Sequence, residues 1–171
     1  MLSASDIRGL LTALDAELAK TATRAEVYLL GGAVMCLVFA ARPSTKDVDG
    51  YFVPTSRVRE AARRVAMSRD LPEDWLNDAA KGYLSERGDF APFLELKQLR
   101  VLTATPEYLL ALKCLAMRLG AEFHDEADVR FLLRYLNLTK IDAVLELLAR
   151  YYPLERFPRK TFFALEELLA E

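Results

Sequence analysis

Apolar residues recur at three- and four-residue steps through the first twenty positions, at Ile7, Leu10, Leu11, Leu14 and Leu18. This predicts an amphipathic helix over 5–20 with Ser5 as its N-cap. The pattern then changes: EVYLL (26–30) stops abruptly at Gly31-Gly32, and AVMCLVFAA (33–41) is apolar on every side until Arg42-Pro43 ends it. Strand, glycine turn and buried helix is the reading. DVDGYFV (47–53) alternates, is rich in β-branched and aromatic residues and lies between Pro43 and Pro54, which predicts a second strand. Thr55 is expected to cap a helix over 56–68. The stretch 70–90 is mixed, with a short helical piece around 75–80, and 91–104 holds strand-like runs at FLEL and LRVLT. From 105 onward the chain reads as helical. Thr105-Pro106-Glu107 supplies a cap, a first-position proline and a first-turn acid, Gly120 is expected to close that helix, and a later one is expected to begin at Thr139 with Asp142 in the capping-box position.

The elements add up to an α+β (α/β-like) fold, with a small mixed sheet over 25–104 and a helical bundle over 105–171. A length of 171 residues suits one domain, 1–171, with one substantial core. The balance of 23 Lys+Arg against 25 Asp+Glu provides no general basic field to draw in nucleic acid, so a polyanion would have to meet a local patch; DNA is not expected. Cys36 and Cys114 sit in apolar stretches without C-x-x-C spacing, and His124 is the single histidine, which argues for buried thiols and against a thiolate or imidazole metal site. No signal-like start and no membrane-length apolar run is present, so a soluble, cytoplasmic protein without a membrane partner is expected.

Chemistry concentrates at two places. Side chains alternate along a strand, so Asp47 and Asp49 project on one face about 7 Å apart with Val48 turned away. Two neighbouring carboxylates repel, and a hard divalent cation, Mg²⁺ or Mn²⁺, relieves the repulsion. Mg²⁺ keeps waters and substrate phosphates in its shell, so few protein carboxylates imply a phosphorylated partner. Gly31-Gly32, between strand and helix, lets the backbone approach such a ligand with its amides forward. Each motif alone also has an ordinary reading, as a solvated strand and a connecting turn. The second place is Lys113, which falls on a helical wheel among Leu109, Leu110, Cys114, Ala116 and Met117. A charged amine on an apolar face is either neutralised by a carboxylate or reaches through the core to an anion. Asp125 and Asp128 read as N-cap and N3 of a following helix.

The segment LLGGAVMCLVFAARPSTKDVDGYFV resembles the first motif of the nucleotidyltransferase superfamily, a strand, a Gly-Gly or Gly-Ser turn, a helix and an Asp-x-Asp strand. TPEYLLALKCLAMRLGAEFHDEADVRFLL is similar to the downstream motifs of its abortive-infection (AbiEii-like) branch. The likeness spans roughly residues 25–135. It implies Asp47 and Asp49 as catalytic metal ligands, Gly31 and Gly32 as the phosphate cradle, Lys113 as a nucleotide contact and Asp125 and Asp128 in support. Arg42, Ser44 and Thr45 stand where the motif carries basic and hydroxyl residues, with Thr45 a nucleotide contact. Ala33 departs from the serine or threonine often found after the glycines. The third carboxylate of active members has no obvious counterpart, and Glu95, with Asp89 behind it, is the candidate. The resemblance implies transfer of a nucleotide from a Mg²⁺–nucleoside triphosphate to an acceptor RNA or protein and, by analogy, a toxin with an antitoxin partner. Two other classes stay open: a non-catalytic nucleotide-binding or interaction module on the same fold, and a helical partner-binding protein.

Overall fold

The computed structural model describes all residues 1–171. A two-residue strand, β1 (Leu2–Ser3), runs into α1 (Ala4–Lys20). Ser3, two residues earlier than expected, caps this helix: its hydroxyl accepts from the Asp6 amide at 3.1 Å while the Asp6 carboxylate accepts from the Ser3 amide at 2.8 Å. That reciprocal pair satisfies two amides at once, which Ser5 inside the first turn could not do. Then follow β2 (Ala25–Leu29), α2 (Gly31–Leu37), β3 (Ser44–Thr45), β4 (Val48–Val53), α3 (Thr55–Arg69), β5 (Leu76–Asn77), β6 (Phe90–Glu95) and β7 (Leu99–Ala104). The helical part comprises α4 (Pro106–Leu115), α5 (Asp125–Tyr135), α6 (Ile141–Tyr151) and α7 (Arg159–Ala170). The fold is α+β. No helix is long and apolar enough to cross a membrane.

Five strands form a mixed sheet in the order β5-β4-β2-β7-β6. β4 and β6 run antiparallel to β2 and β7 respectively, while the β2/β7 and β4/β5 pairs are parallel; β1 and β3 pair separately. One phase of the alternation, with Val27, Leu29, Val48, Phe52, Leu99 and Val101, is buried, and α1 and α3 pack on that side. Asp15 of α1 anchors the arrangement, its Oδ1 accepting from the Gln98 and Leu99 amides at 2.7 and 3.0 Å. Glu17 of α1 in turn accepts from Arg64 of α3 at 3.0 Å.

The chain divides into two compact units, 1–82 with 90–104, and 83–89 with 105–171. Segment 83–89 precedes β6 yet belongs with the helices. The Tyr108 hydroxyl accepts from the Ser85 amide at 2.9 Å, Tyr151 donates to the Asp89 carboxylate at 2.8 Å, and Tyr152 donates to the Tyr83 carbonyl. Burial, with Asp89 adding to it, pushes the Tyr151 hydroxyl up to about 12, so it stays a donor. Cys36 and Cys114 are buried and not joined in a disulfide, one in each unit, and burial raises the Cys114 thiol to about 12.

Several boundaries differ from the sequence reading for local reasons. α2 ends at Leu37 rather than 41 because Ala40 takes a left-handed φ of 50°. The piece around 75–80 is β5 followed by a 3₁₀ turn over Ala79–Tyr83, since Val48 donates to the Trp75 carbonyl and draws that segment onto the sheet. The Thr55 hydroxyl donates to the Phe52 carbonyl and so does not cap α3. α4 stops at Leu115, well before Gly120, and α6 is preceded by Lys140 without a side-chain cap.

Replacing Asp15 with alanine leaves the Gln98 and Leu99 amides without their acceptor. Urea unfolding is expected to show a loss on the order of 2–3 kcal/mol, with a smaller loss for Asp15→Asn, which keeps a carbonyl oxygen; wild-type stability in both variants would remove Asp15 as the anchor.

Candidate functional site

The glycine turn and the aspartates meet because β2 and β4 are antiparallel. Leu29 stands opposite Gly50, and one step further the Leu30 amide donates to the Asp49 carbonyl at 2.9 Å. The exit of β2 is therefore the entrance of β4. Gly31 follows at once with φ +60°, a left-handed conformation that costs glycine little and a side-chain-bearing residue more.

A Cβ at Gly31 would stand 3.0 Å from Asp49 Oδ2. At Gly32 it would fall 2.5 Å from Thr45 Oγ1 and against the Arg42 guanidinium. Five residues from three segments, Gly31, Gly32, Arg42, Thr45 and Asp49, thus share one small volume. Thr45 is buried at 6% exposure, held by β3, whose partner across the ladder is Leu2. Asp47 precedes β4 and, like Asp49, is half-buried, while Val48 between them is fully buried. The two acids therefore lie in the phase of the strand opposite to Val48. Amides at a glycine turn, a hydroxyl and a guanidinium together suit phosphate oxygens, and the acid pair supplies hard oxygen donors of the type Mg²⁺ takes.

The sheet does not bring Glu95 to this point. Glu95 pairs with Arg100, which pairs with Glu26, which pairs with Val53, so Glu95 belongs to the row at the far end of β4. Asp49 lies four residues back along β4, roughly 13 Å along the strands, and three strands across, roughly 14 Å. At the glycine end β7 and β6 finish in Ala104 and Phe90, neither of them an acid. Asp89 is engaged by Tyr151 in the helical unit. Asn77 was not singled out from sequence, yet the parallel register sets it directly beside Asp49. A two-residue strand is too short to show alternation, which hides such a neighbour. Its side chain also serves the local turn, with Oδ1 accepting from the Ala79 amide at 3.2 Å.

Lys113, Asp125 and Asp128 form a second cluster, within the helical unit. Lys113 Nζ lies 2.7 Å from Asp128 Oδ2 and 3.6 Å from Asp125 Oδ1. Arg118 reaches Asp125 Oδ2 through its Nε at 2.9 Å and its backbone amide at 3.1 Å. The side chains of Lys113, Asp125 and Asp128 are 11%, 8% and 2% exposed. Of the two fates open to an amine on an apolar face, neutralisation by carboxylates is the one the structure displays. His124 rather than Asp125 occupies the N-cap of α5, and both acids fall in its first turn. Burial would raise the Asp125 carboxyl, but the Arg118 hydrogen bond and the Lys113 charge outweigh it and hold the carboxyl below its usual range.

Because the folded Asp125 titrates below its unfolded value, its contribution to stability is complete above the ordinary aspartate range and is lost as pH falls through the depressed folded value. Thermal melts are expected to decline in that acid window. Lys113→Met removes the ammonium from a buried acid pair and is expected to cost on the order of 3–5 kcal/mol without any ligand, with a flatter acid limb. A wild-type melt in that variant would assign the lysine elsewhere.

Comparison of the chain with protein-family models, with curated proteins and with solved structures returned no match.

Proposed function

We propose that the chain binds a Mg²⁺–nucleoside triphosphate at the glycine turn and transfers its nucleotide to an acceptor hydroxyl. The observation that carries this reading is the convergence of Gly31, Gly32, Arg42, Thr45 and Asp49 on one point, where a Cβ at Gly32 would collide with Thr45 and Arg42 and one at Gly31 would press on Asp49. In the proposed reaction the acceptor oxygen bonds to the α-phosphorus, the bond to the β-phosphate oxygen breaks, pyrophosphate leaves and the hydroxyl proton passes to water. The Gly31 and Gly32 backbone, Thr45 and Arg42 would orient the triphosphate and stabilise its charge. Asp47 and Asp49 would hold the metal, which would supply charge neutralisation at the phosphates. Lys113, its charge taken up by Asp128 and Asp125, enters this reading as the residue that ties α4 to α5.

One observation favours a second reading, a nucleotide-binding module without transfer. Glu95 lies in the far row of the sheet, and the glycine end of β7 and β6 carries alanine and phenylalanine in place of an acid. Without a third carboxylate, no base stands ready for the acceptor proton.

Calorimetry with Mg²⁺ and each nucleoside triphosphate tests binding, and transfer of label from an α-labelled triphosphate to total RNA or lysate protein separates the two readings. Asp49→Asn is expected to weaken Mg²⁺-dependent binding roughly 10- to 100-fold, the loss of one charge-assisted contact. Gly32→Ala is expected to abolish binding, since its methyl would displace Thr45 and Arg42. Unchanged affinity in both variants would dissociate the glycine–aspartate cluster from any nucleotide.

A further inference from the structure

The side of the sheet away from α1 and α3 carries the same phase of β4 as Asp49. Next in that phase is Tyr51, 37% exposed, about 7 Å further along the strand. The register sets Tyr28 beside it, with ring centroids 5.8 Å apart, and the Phe90 ring stands 5.0 Å from Tyr28 on the other side. The Tyr51 and Tyr28 rings thus stand side by side on adjacent strands, and the Phe90 ring of β6 packs edge-on against Tyr28 from two strands away, past Leu102 of β7. Beyond them, another step of about 7 Å along the strands, the same side opens into a cleft of about 480 Å³ whose wall includes Arg24, Lys97 and Arg100 together with Glu26 and Glu95. Three cations stand against two carboxylates there. The Arg100 guanidinium is 3.7 Å from Glu26, and both ends of that pair stay about half exposed.

We infer that this side of the sheet is the acceptor track and that the acceptor is a single-stranded polynucleotide, its bases on Tyr51 and Tyr28 and a backbone phosphate at Arg100 and Arg24. The inference rests on the nucleotide-binding reading for its direction, because the track begins at Asp49. A lone nucleoside triphosphate with its phosphates at the glycine turn reaches the aromatic row and leaves the cations at the far end unused; a polymer uses both. Aromatic rings followed by cations along one line suit alternating bases and phosphates, and base stacking tolerates any sequence. The chain has no general basic field, so such binding would depend on this patch alone and be weak and salt-sensitive.

The test is fluorescence anisotropy of the full chain with labelled single-stranded RNA and DNA oligonucleotides of about eight residues, with a duplex of the same sequence as control and Mg²⁺–triphosphate calorimetry on the wild type in parallel. Single strands are expected to bind better than the duplex, and preference between the RNA and DNA arms identifies the source of the strand. Tyr51→Ala should weaken binding roughly 10-fold or more, Tyr51→Phe should restore most of it, and Arg100→Ala should lower the salt slope by about one. Thermal melts of each variant establish that it is folded. Triphosphate binding without oligonucleotide binding, oligonucleotide affinity indifferent to Tyr51, or label passing to protein and not to RNA would each overturn the inference. Tyr51-dependent oligonucleotide binding without triphosphate binding would keep the track and overturn the transfer reading.

Discussion

The antiparallel pairing of β2 with β4 is the constraint on which the candidate site depends. It sets Leu29 against Gly50 and the Leu30 amide against the Asp49 carbonyl, and so turns two stretches some eighteen residues apart in sequence into neighbours. A slip of one residue in that register would send Asp49 to the α1/α3 side and Val48 outward. The buried phase of both strands resists the slip: Val27, Leu29, Val48 and Phe52 are each 0–1% exposed, and exposing them together would forfeit several kcal/mol of apolar burial. The precision of a polar cluster is thus maintained by apolar side chains in the opposite phase of the strands.

In the helical unit the comparable role belongs to charge. Lys113 and Asp128 lie in surroundings where either alone would be costly, and each makes the other tolerable. Such a pair adds less to stability than apolar packing of the same volume. It does favour one face of α4 toward α5, because Lys113 reaches carboxylates at two positions of that helix. The aromatic hydroxyls of Tyr108, Tyr151 and Tyr152 do similar work for segment 83–89, holding a stretch with little regular structure against helices far along the chain.

Much of the fold was legible in the sequence because its signals are local. The leucines of α1, the Thr105-Pro106-Glu107 start of α4 and the alternation in β4 each declare their element within one or two turns. The order of strand, glycine turn, helix and strand could likewise be read directly. What escaped was long-range. Glu95 sits on a strand as expected, but which end of the sheet it occupies is decided by the β6/β7 hairpin and the parallel pairing of β7 with β2, and neither leaves a mark on neighbouring residues. β5 has two residues and no period to detect. The helical wheel of α4 identified Lys113 as an amine on an apolar face but could not choose its partner, since Asp125 and Asp128 lie across a loop whose path no local rule dictates. The start of α5 is likewise one residue earlier than the acids suggest, with His124 at the N-cap and Asp125 just inside the helix.

The distribution of sulfur has a practical corollary. Cys36 lies in α2, next to the glycine turn, and Cys114 in α4, beside Lys113; both are buried and neither is bridged. A thiol reagent can reach either one only when its surroundings open, and Cys114 must also give up its proton against a strong environmental penalty. The chain therefore carries two intrinsic clocks, one for each unit, and the labelling rate of each sulfur would time the breathing of the substructure around it without any introduced probe.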